Sequence, residues 1–137
     1  MSIPRILSEK QYDDALPGSV VARQGDVLLY KPHTTPVPGK QIENGGRRVV
    51  LAHGEVTGHA HAFYRNEATA PKSAYELYEI DAPKFCHTTL PGQFLRLNER
   101  SFLRHEEHDP LSLPARDYIS VIQHEGNEIG EIRRVAD

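Results

Sequence analysis

The sequence lacks several features that would place the chain in a specialised class of protein. It has one cysteine, Cys86, and no tryptophan, so an internal disulfide framework is excluded and a reducing compartment is expected. No run approaches 18 apolar residues, which argues against a membrane-spanning helix. The N-terminus has neither the apolar core nor the small-residue cleavage pattern of a secretory signal. We therefore expect a soluble, cytoplasmic protein.

The chain also has no large excess of positive or negative charge. Lys and Arg number 16 against 19 Asp and Glu, which leaves a net charge of -3. This balance argues against broad nucleic-acid binding through a basic face. The length of 137 residues, of which 38% are hydrophobic, predicts a single domain over residues 1–137 with one modest core.

Turn residues and short apolar runs predict an all-β fold with one helix. Ser8 and Gln11 form a capping box, and Pro17 follows, so a short helix is expected over 8–16. From residue 20 to 137, short strand-like runs alternate with Gly, Pro and Asn-Gly turns. About eight to ten such strands predict a small β-barrel or sandwich.

Eight histidines are the most informative part of the composition. His59 and His61 lie two residues apart in a predicted strand, so their side chains share a face with that of Phe63. Two imidazoles held on a stiff backbone make a good half-site for a transition metal. If the glycine-bounded turn before them closes a hairpin, His53 and Glu55 approach this pair.

A second histidine cluster follows about 45 residues later in the sequence. His105 and His108 are three residues apart, so they share a site only where the chain bends, and Asp109-Pro110 makes a bend plausible. Both clusters together predict a metal site whose ligands come from His59, His61, His105 and His108.

The expected cofactor is a divalent transition metal, with zinc or iron favoured. An open zinc position would activate water for hydrolysis, with Glu106 or Glu55 as general base. Iron would instead indicate an oxygenase. The substrate or ligand would be a small molecule that the sequence does not identify, and an exposed β edge makes a homodimer plausible.

The order of these motifs resembles the cupin superfamily. Gly54, the His-x-His pair, later strands and a proline turn within 111–118 follow the order of the two cupin motifs. The first spacing is one residue short, and Glu67 lies one step beyond the glutamate position. The resemblance implies a β-barrel whose histidines hold a metal. Tyr118 or Ile119 occupies the position of the third histidine, so His105 or His108 would have to replace it.

The segments Gly25–Leu29, Gly54–His61 and His105–His108 also resemble those of a group of small bacterial and phage proteins. The resemblance implies that the three segments belong together. A second hypothesis, of a different functional class, is that the protein is a non-catalytic binding or regulatory module associated with phage or conflict systems. In such a module the histidines would be structural or would hold a closed metal site.

Two His-Thr-Thr triplets support a third hypothesis. The triplets at 33–35 and 87–89 resemble the paired His-x-Thr motifs of the 2H phosphoesterases, in which two histidines act as acid and base without a metal. This function requires His33 and His87 to face each other across a groove. We interpret Cys86 as a core residue rather than a nucleophile, and His124 as the surface end of a strand.

Overall fold

A computed structural model of the chain describes residues 5–37, 39–42, 48–53, 60–64 and 75–123. These residues form a helix α1 (Glu9–Asp14), a 3-10 turn (Ala82–Lys84) and strands β1 (Arg5–Ile6), β2 (Val20–Gln24), β3 (Val27–Tyr30), β4 (Arg48–His53), β5 (Ala60–Tyr64), β6 (Tyr75–Ile80), β7 (Gly92–Leu97), β8 (Ser101–Arg104), β9 (Leu111–Leu113) and β10 (Asp117–Ile122). Across these ranges, none of the helical segments has the length and apolar character needed to span a membrane.

The single helix begins as its sequence predicts. The Ser8 hydroxyl accepts from the Gln11 amide and the Gln11 side chain accepts from the Ser8 amide, so the capping box is complete. The helix ends at Asp14, two residues earlier than predicted, because Ala15 is already extended. The Lys31 ammonium donates to three carbonyls at this end, those of Tyr12, Asp13 and Ala15.

The described strands form two sheets of five strands each. Sheet 1 has the order β1-β9-β8-β5-β4, and sheet 2 has the order β2-β3-β10-β7-β6. All the pairs within them are antiparallel except β1 with β9. The predicted all-β fold is therefore confirmed as a sandwich-like arrangement, and the described strands do not close into a barrel.

The main core lies between the two sheets. Phe63 of sheet 1 stacks on Tyr75 of sheet 2 with ring centroids 5.4 Å apart, and Leu103 and Leu95 are buried in the same cluster. A second cluster covers the other face of sheet 2, where Cys86 packs with residues of β3, β7 and β10. Strand β3 is consequently buried at every position, as its continuous apolar run predicts.

Two structural details position the functional residues. Strand β5 pairs with β8 so that Ala62 lies opposite Arg104, and the same register continued by one residue puts His105 opposite His61. Gln24 pairs with Val27, so Gly25 and Asp26 form a two-residue hairpin turn. Gly25 has φ +55, the backbone that glycine allows at the first turn position. The predicted Asn-Gly hairpin after residue 43 and the strand at 131–135 lie outside the described residues.

Candidate functional site

Three of the predicted histidines meet at one end of the sandwich. We call His61, His105 and His108 the histidine cluster. Their ring centroids are 4.3 Å apart for His61 and His105, 4.8 Å for His105 and His108, and 5.8 Å for His61 and His108. β8 ends at Arg104 and the chain bends over residues 106–108. That bend brings His105 and His108 to the same side.

Gln24 of sheet 2 fixes the orientation of the His61 ring. Its amide nitrogen donates to the carbonyls of Leu103 (2.9 Å) and Asp109 (3.0 Å), so its amide oxygen must be the atom 2.9 Å from His61 Nδ1. An amide oxygen only accepts, and Nδ1 therefore carries the proton. In neutral His61 the ring lone pair is then on Nε2.

The lone-pair side of His61 faces a carboxylate. Asp26 Oδ1 lies 3.4 Å from His61 Nε2, and both side chains are buried, His61 completely. A lone pair and a carboxylate oxygen repel in a buried site unless a cation lies between them. That cation is either a proton shared between His61 and Asp26 or a metal ion. Two ligands of a tetrahedral metal at ordinary bond lengths are separated by about 3.4 Å.

His105 has the opposite proton arrangement. The Glu107 amide donates to His105 Nδ1 at 3.1 Å, so the proton of a neutral His105 is on Nε2. In that state His105 offers a donor rather than a lone pair on its Nε2 side. His61 and His105 are stacked with 29° between their planes, and their proximity disfavours both rings being charged at once.

The cluster is not arranged as a complete metal site. In the described part of the chain, no group of three or more His, Cys, Asp or Glu side chains is placed so that it could hold a metal ion. His59, the fourth predicted ligand, lies outside the described residues.

The remaining predicted site residues are placed as follows. Glu106 accepts a hydrogen bond from the Ala60 amide at 3.1 Å, which ties the bend after β8 to the start of β5. Its role as general base stays a prediction. Glu55 and His124 lie outside the described residues, and His53 is described only as the last backbone position of β4.

Sequence reasoning missed Gln24 and Asp26. Both are almost completely buried polar side chains, and both flank Gly25 directly before the fully buried strand β3. The sequence signal for these two residues was a hairpin glycine that has a polar side chain on each side and precedes an apolar strand. The signal is weak, because hairpin turns are usually polar and solvated.

The Nε2 atoms of the cluster are closed to solvent, although the His108 side chain as a whole is only half-buried. The Nε2 atoms of His61, His105 and His108 are all buried. A catalytic metal must keep a position open to water or substrate, whereas a structural metal site is enclosed by protein ligands. This burial is the feature that the hypothesis of a non-catalytic module requires.

The two His-Thr-Thr triplets also converge, at a different place. The rings of His33 and His87 contact edge to face, with centroids 4.7 Å apart. Neighbouring Cys86 is buried, its thiol donates to the Ala82 carbonyl at 3.4 Å, and burial raises its pKa to about 11. The thiol is therefore protonated at neutral pH, as a core cysteine is.

Comparison with known proteins identifies a family without an assigned activity. Residues 23–123 match the model of a family described as Domain of unknown function (DUF8820). This match includes Gln24, Asp26 and the whole histidine cluster. Neither a curated protein nor a solved structure matches the chain.

Proposed function

The chain belongs to the DUF8820 family, and from the histidine cluster we propose that it binds one divalent transition metal ion, zinc or iron, between its two sheets. The proposed ligands are Nε2 of His61, Nε2 of His108 and the carboxylate of Asp26. Two imidazoles and one carboxylate are a donor set that zinc and non-haem iron both accept.

One observation carries the proposal. Gln24 holds the proton of His61 on Nδ1, and the opposite nitrogen points to Asp26 Oδ1 at 3.4 Å. A ligand histidine in a metal protein is commonly oriented by a hydrogen bond to its other ring nitrogen, and Gln24 makes that bond here. Burial of His61 and Asp26 strengthens their need for a cation between them.

Completion of the site requires a movement of one side chain. His108 follows the bend, and its ring is 5.8 Å from that of His61 and nearly parallel to it, at 19°. We expect its Nε2 to turn toward the point between His61 and Asp26 when the metal binds. His105 would remain beside the metal as a proton-carrying group. His59 lies outside the described residues, and its role as a ligand stays a prediction.

The burial of the cluster supports a closed site in a binding or regulatory module. A hydrolase or oxygenase would need an open metal position and a general base next to it. Glu106 Oε2 is instead engaged with the Ala60 amide. Catalysis therefore stays the second candidate function.

A cytoplasmic location also stays a proposal. It is supported by the single cysteine, Cys86, which is typical of a reducing compartment.

The test is elemental analysis of untagged protein after desalting, compared with three variants. We expect close to one zinc or iron per wild-type chain, and loss of that metal in His61→Ala and His108→Ala. Asp26→Asn keeps the size of the side chain but removes its charge, so metal content should fall there as well. Thr35→Ala is the matched control, because this exposed residue lies outside the cluster and carries no imidazole.

A metal-free wild type that stays metal-free after reconstitution with zinc and with ferrous iron would contradict the proposal. Circular dichroism of each variant separates loss of ligands from loss of fold. In the metal-free case a proton holds the His61–Asp26 pair, and the module with structural histidines becomes the supported function.

A further inference from the structure

We propose a second metal site, exposed and separate from the histidine cluster, in which His33 and His87 together bind a divalent transition metal ion. The two residues belong to different loops, one after β3 and one after the 3-10 turn. The proposal depends on the convergence of their ring nitrogens and on the rigidity of the backbone beneath them.

The two Nε2 atoms converge over Gly18. A Cβ atom built on Gly18 would lie 2.2 Å from His33 Nε2 and 3.0 Å from His87 Nε2. Both nitrogens are therefore close to the same point, while their rings meet edge to face at 62°. Only glycine leaves room for this arrangement, and φ of +86 at Gly18 also favours glycine.

Backbone hydrogen bonds hold the two loops in this position. The Gly18 carbonyl accepts from the His87 amide at 2.9 Å, and the Gly18 amide donates to the Lys31 carbonyl at 2.6 Å. The His33 amide donates to the Phe85 carbonyl at 2.7 Å. Three segments are thus joined at one place, and the two histidines need little ordering before they bind a ligand.

A metal fits this pair better than an anion does. An anion site is usually built with Lys or Arg, and the nearby Lys31 ammonium is already engaged by three carbonyls at the end of α1. The direct ring contact also leaves no groove between the histidines for a phosphate ester. Two converging imidazole nitrogens are what copper, nickel and zinc accept.

The surroundings allow a further ligand on such a metal. His87 lines an open cleft of about 400 Å³ whose other lining groups include Thr88, Thr89 and Gln123. Two protein ligands leave coordination positions for water or for a small ligand with oxygen donors.

Copper(II) is the most sensitive probe, because it binds nitrogen sites most tightly among the first-row divalent ions. The experiment is a calorimetric titration of untagged full-length protein with Cu²⁺, together with electron paramagnetic resonance. To silence the histidine cluster, the titration is done in the His61→Ala/His108→Ala background. We expect one remaining binding event whose spectrum shows coupling to two nitrogens.

The variants His33→Ala and His87→Ala should each abolish that event, whereas Thr35→Ala, in the same exposed loop as His33, should leave it unchanged. Gly18→Ala should also abolish it without removing a ligand atom. Copper binding that survives both histidine variants would overturn the proposal. Binding of inorganic phosphate that depends on both histidines, with no copper event, would overturn it in favour of the phosphoesterase hypothesis.

Discussion

At the scale of single residues, the important feature is that Gln24 satisfies three partners at once. It joins the Leu103 carbonyl of sheet 1 and the Asp109 carbonyl of the following loop to the ring of His61, although Gln24 itself belongs to sheet 2. A buried polar group with all its hydrogen bonds made contributes to stability and to specificity, and one without them is costly. The same side chain therefore affects both folding and the proposed metal site.

Gln24→Ala should lower the free energy of unfolding by about 1–3 kcal/mol, because buried carbonyls lose their donor. Metal affinity should fall by about 10–100-fold, since His61 loses its orienting partner. Urea unfolding and competition with a chelator measure the two effects. Gln41→Ala is the control, as Gln41 is exposed and should change neither value. Unchanged metal affinity in the Gln24 variant would mean that His61 is not a ligand.

At the scale of elements, α1 is held to the sandwich mainly at its C-terminal end. Tyr12 is the buried residue of the helix, and its ring packs edge to face on Tyr118 at 5.3 Å. The Lys31 ammonium donates to three carbonyls at that end, and the Tyr12 carbonyl also accepts from the Ala15 amide. A cation there also interacts favourably with the helix dipole. A six-residue helix is too short to be stable by its own propensity, so docking decides whether it forms.

Lys31→Met should destabilise the protein by about 1.5–3 kcal/mol, the range for hydrogen bonds made by a charged donor. The carbonyls of Tyr12, Asp13 and Ala15 lose that donor, and amide hydrogen exchange should accelerate within α1. Lys84→Met is the matched control, because the Lys84 side chain is exposed and makes only a local ion pair with Asp81. Equal effects of both substitutions would show that Lys31 does not hold the helix.

At the scale of the whole molecule, both cores contain groups that resist ionisation. Burial raises the pKa of Cys86 to about 11 and raises the pKa of Tyr12 and Tyr118 well above the ordinary value of 10.0. The Tyr118 hydroxyl also donates a hydrogen bond to the Pro114 carbonyl at 2.8 Å. This bond stabilises the protonated form of the phenol. In the unfolded chain these groups ionise at their ordinary values, near pH 9 for the thiol and near pH 10 for the phenols.

Stability should therefore be unaffected by these groups below pH 9 and should fall as the pH rises through 9 to 11. The unfolded state then binds fewer protons than the folded state, and each group lowers the free energy of unfolding by about 1.4 kcal/mol per pH unit within its window. Denaturation in urea at pH 8, 9, 10 and 11 measures this slope. Cys86→Ala should reduce the loss of stability that begins near pH 9, and Tyr12→Phe should reduce the loss that begins near pH 10. If the pH dependence is unchanged in both variants, other groups cause the decline.

The helix cap, the buried strand β3 and the shared face of His61 and Phe63 depend on neighbours a few residues away. Local period and capping chemistry are sufficient to predict them. The bend after β8 was likewise expected from Asp109-Pro110. Sequence was also sufficient to select His61, His105 and His108 as one group, because imidazoles are rare and their spacing is informative.

Sequence alone determined the element types and selected the histidines as candidate ligands, whereas the tertiary structure decided which of them meet and added Asp26 beside them. Strand register sets His105 opposite His61, and the packing of the two sheets brings Gln24 and Asp26 to His61 across a long stretch of chain. The contact of His33 with His87 over Gly18 has the same origin. Such contacts result from the joint packing of all strands, and no local pattern encodes that packing.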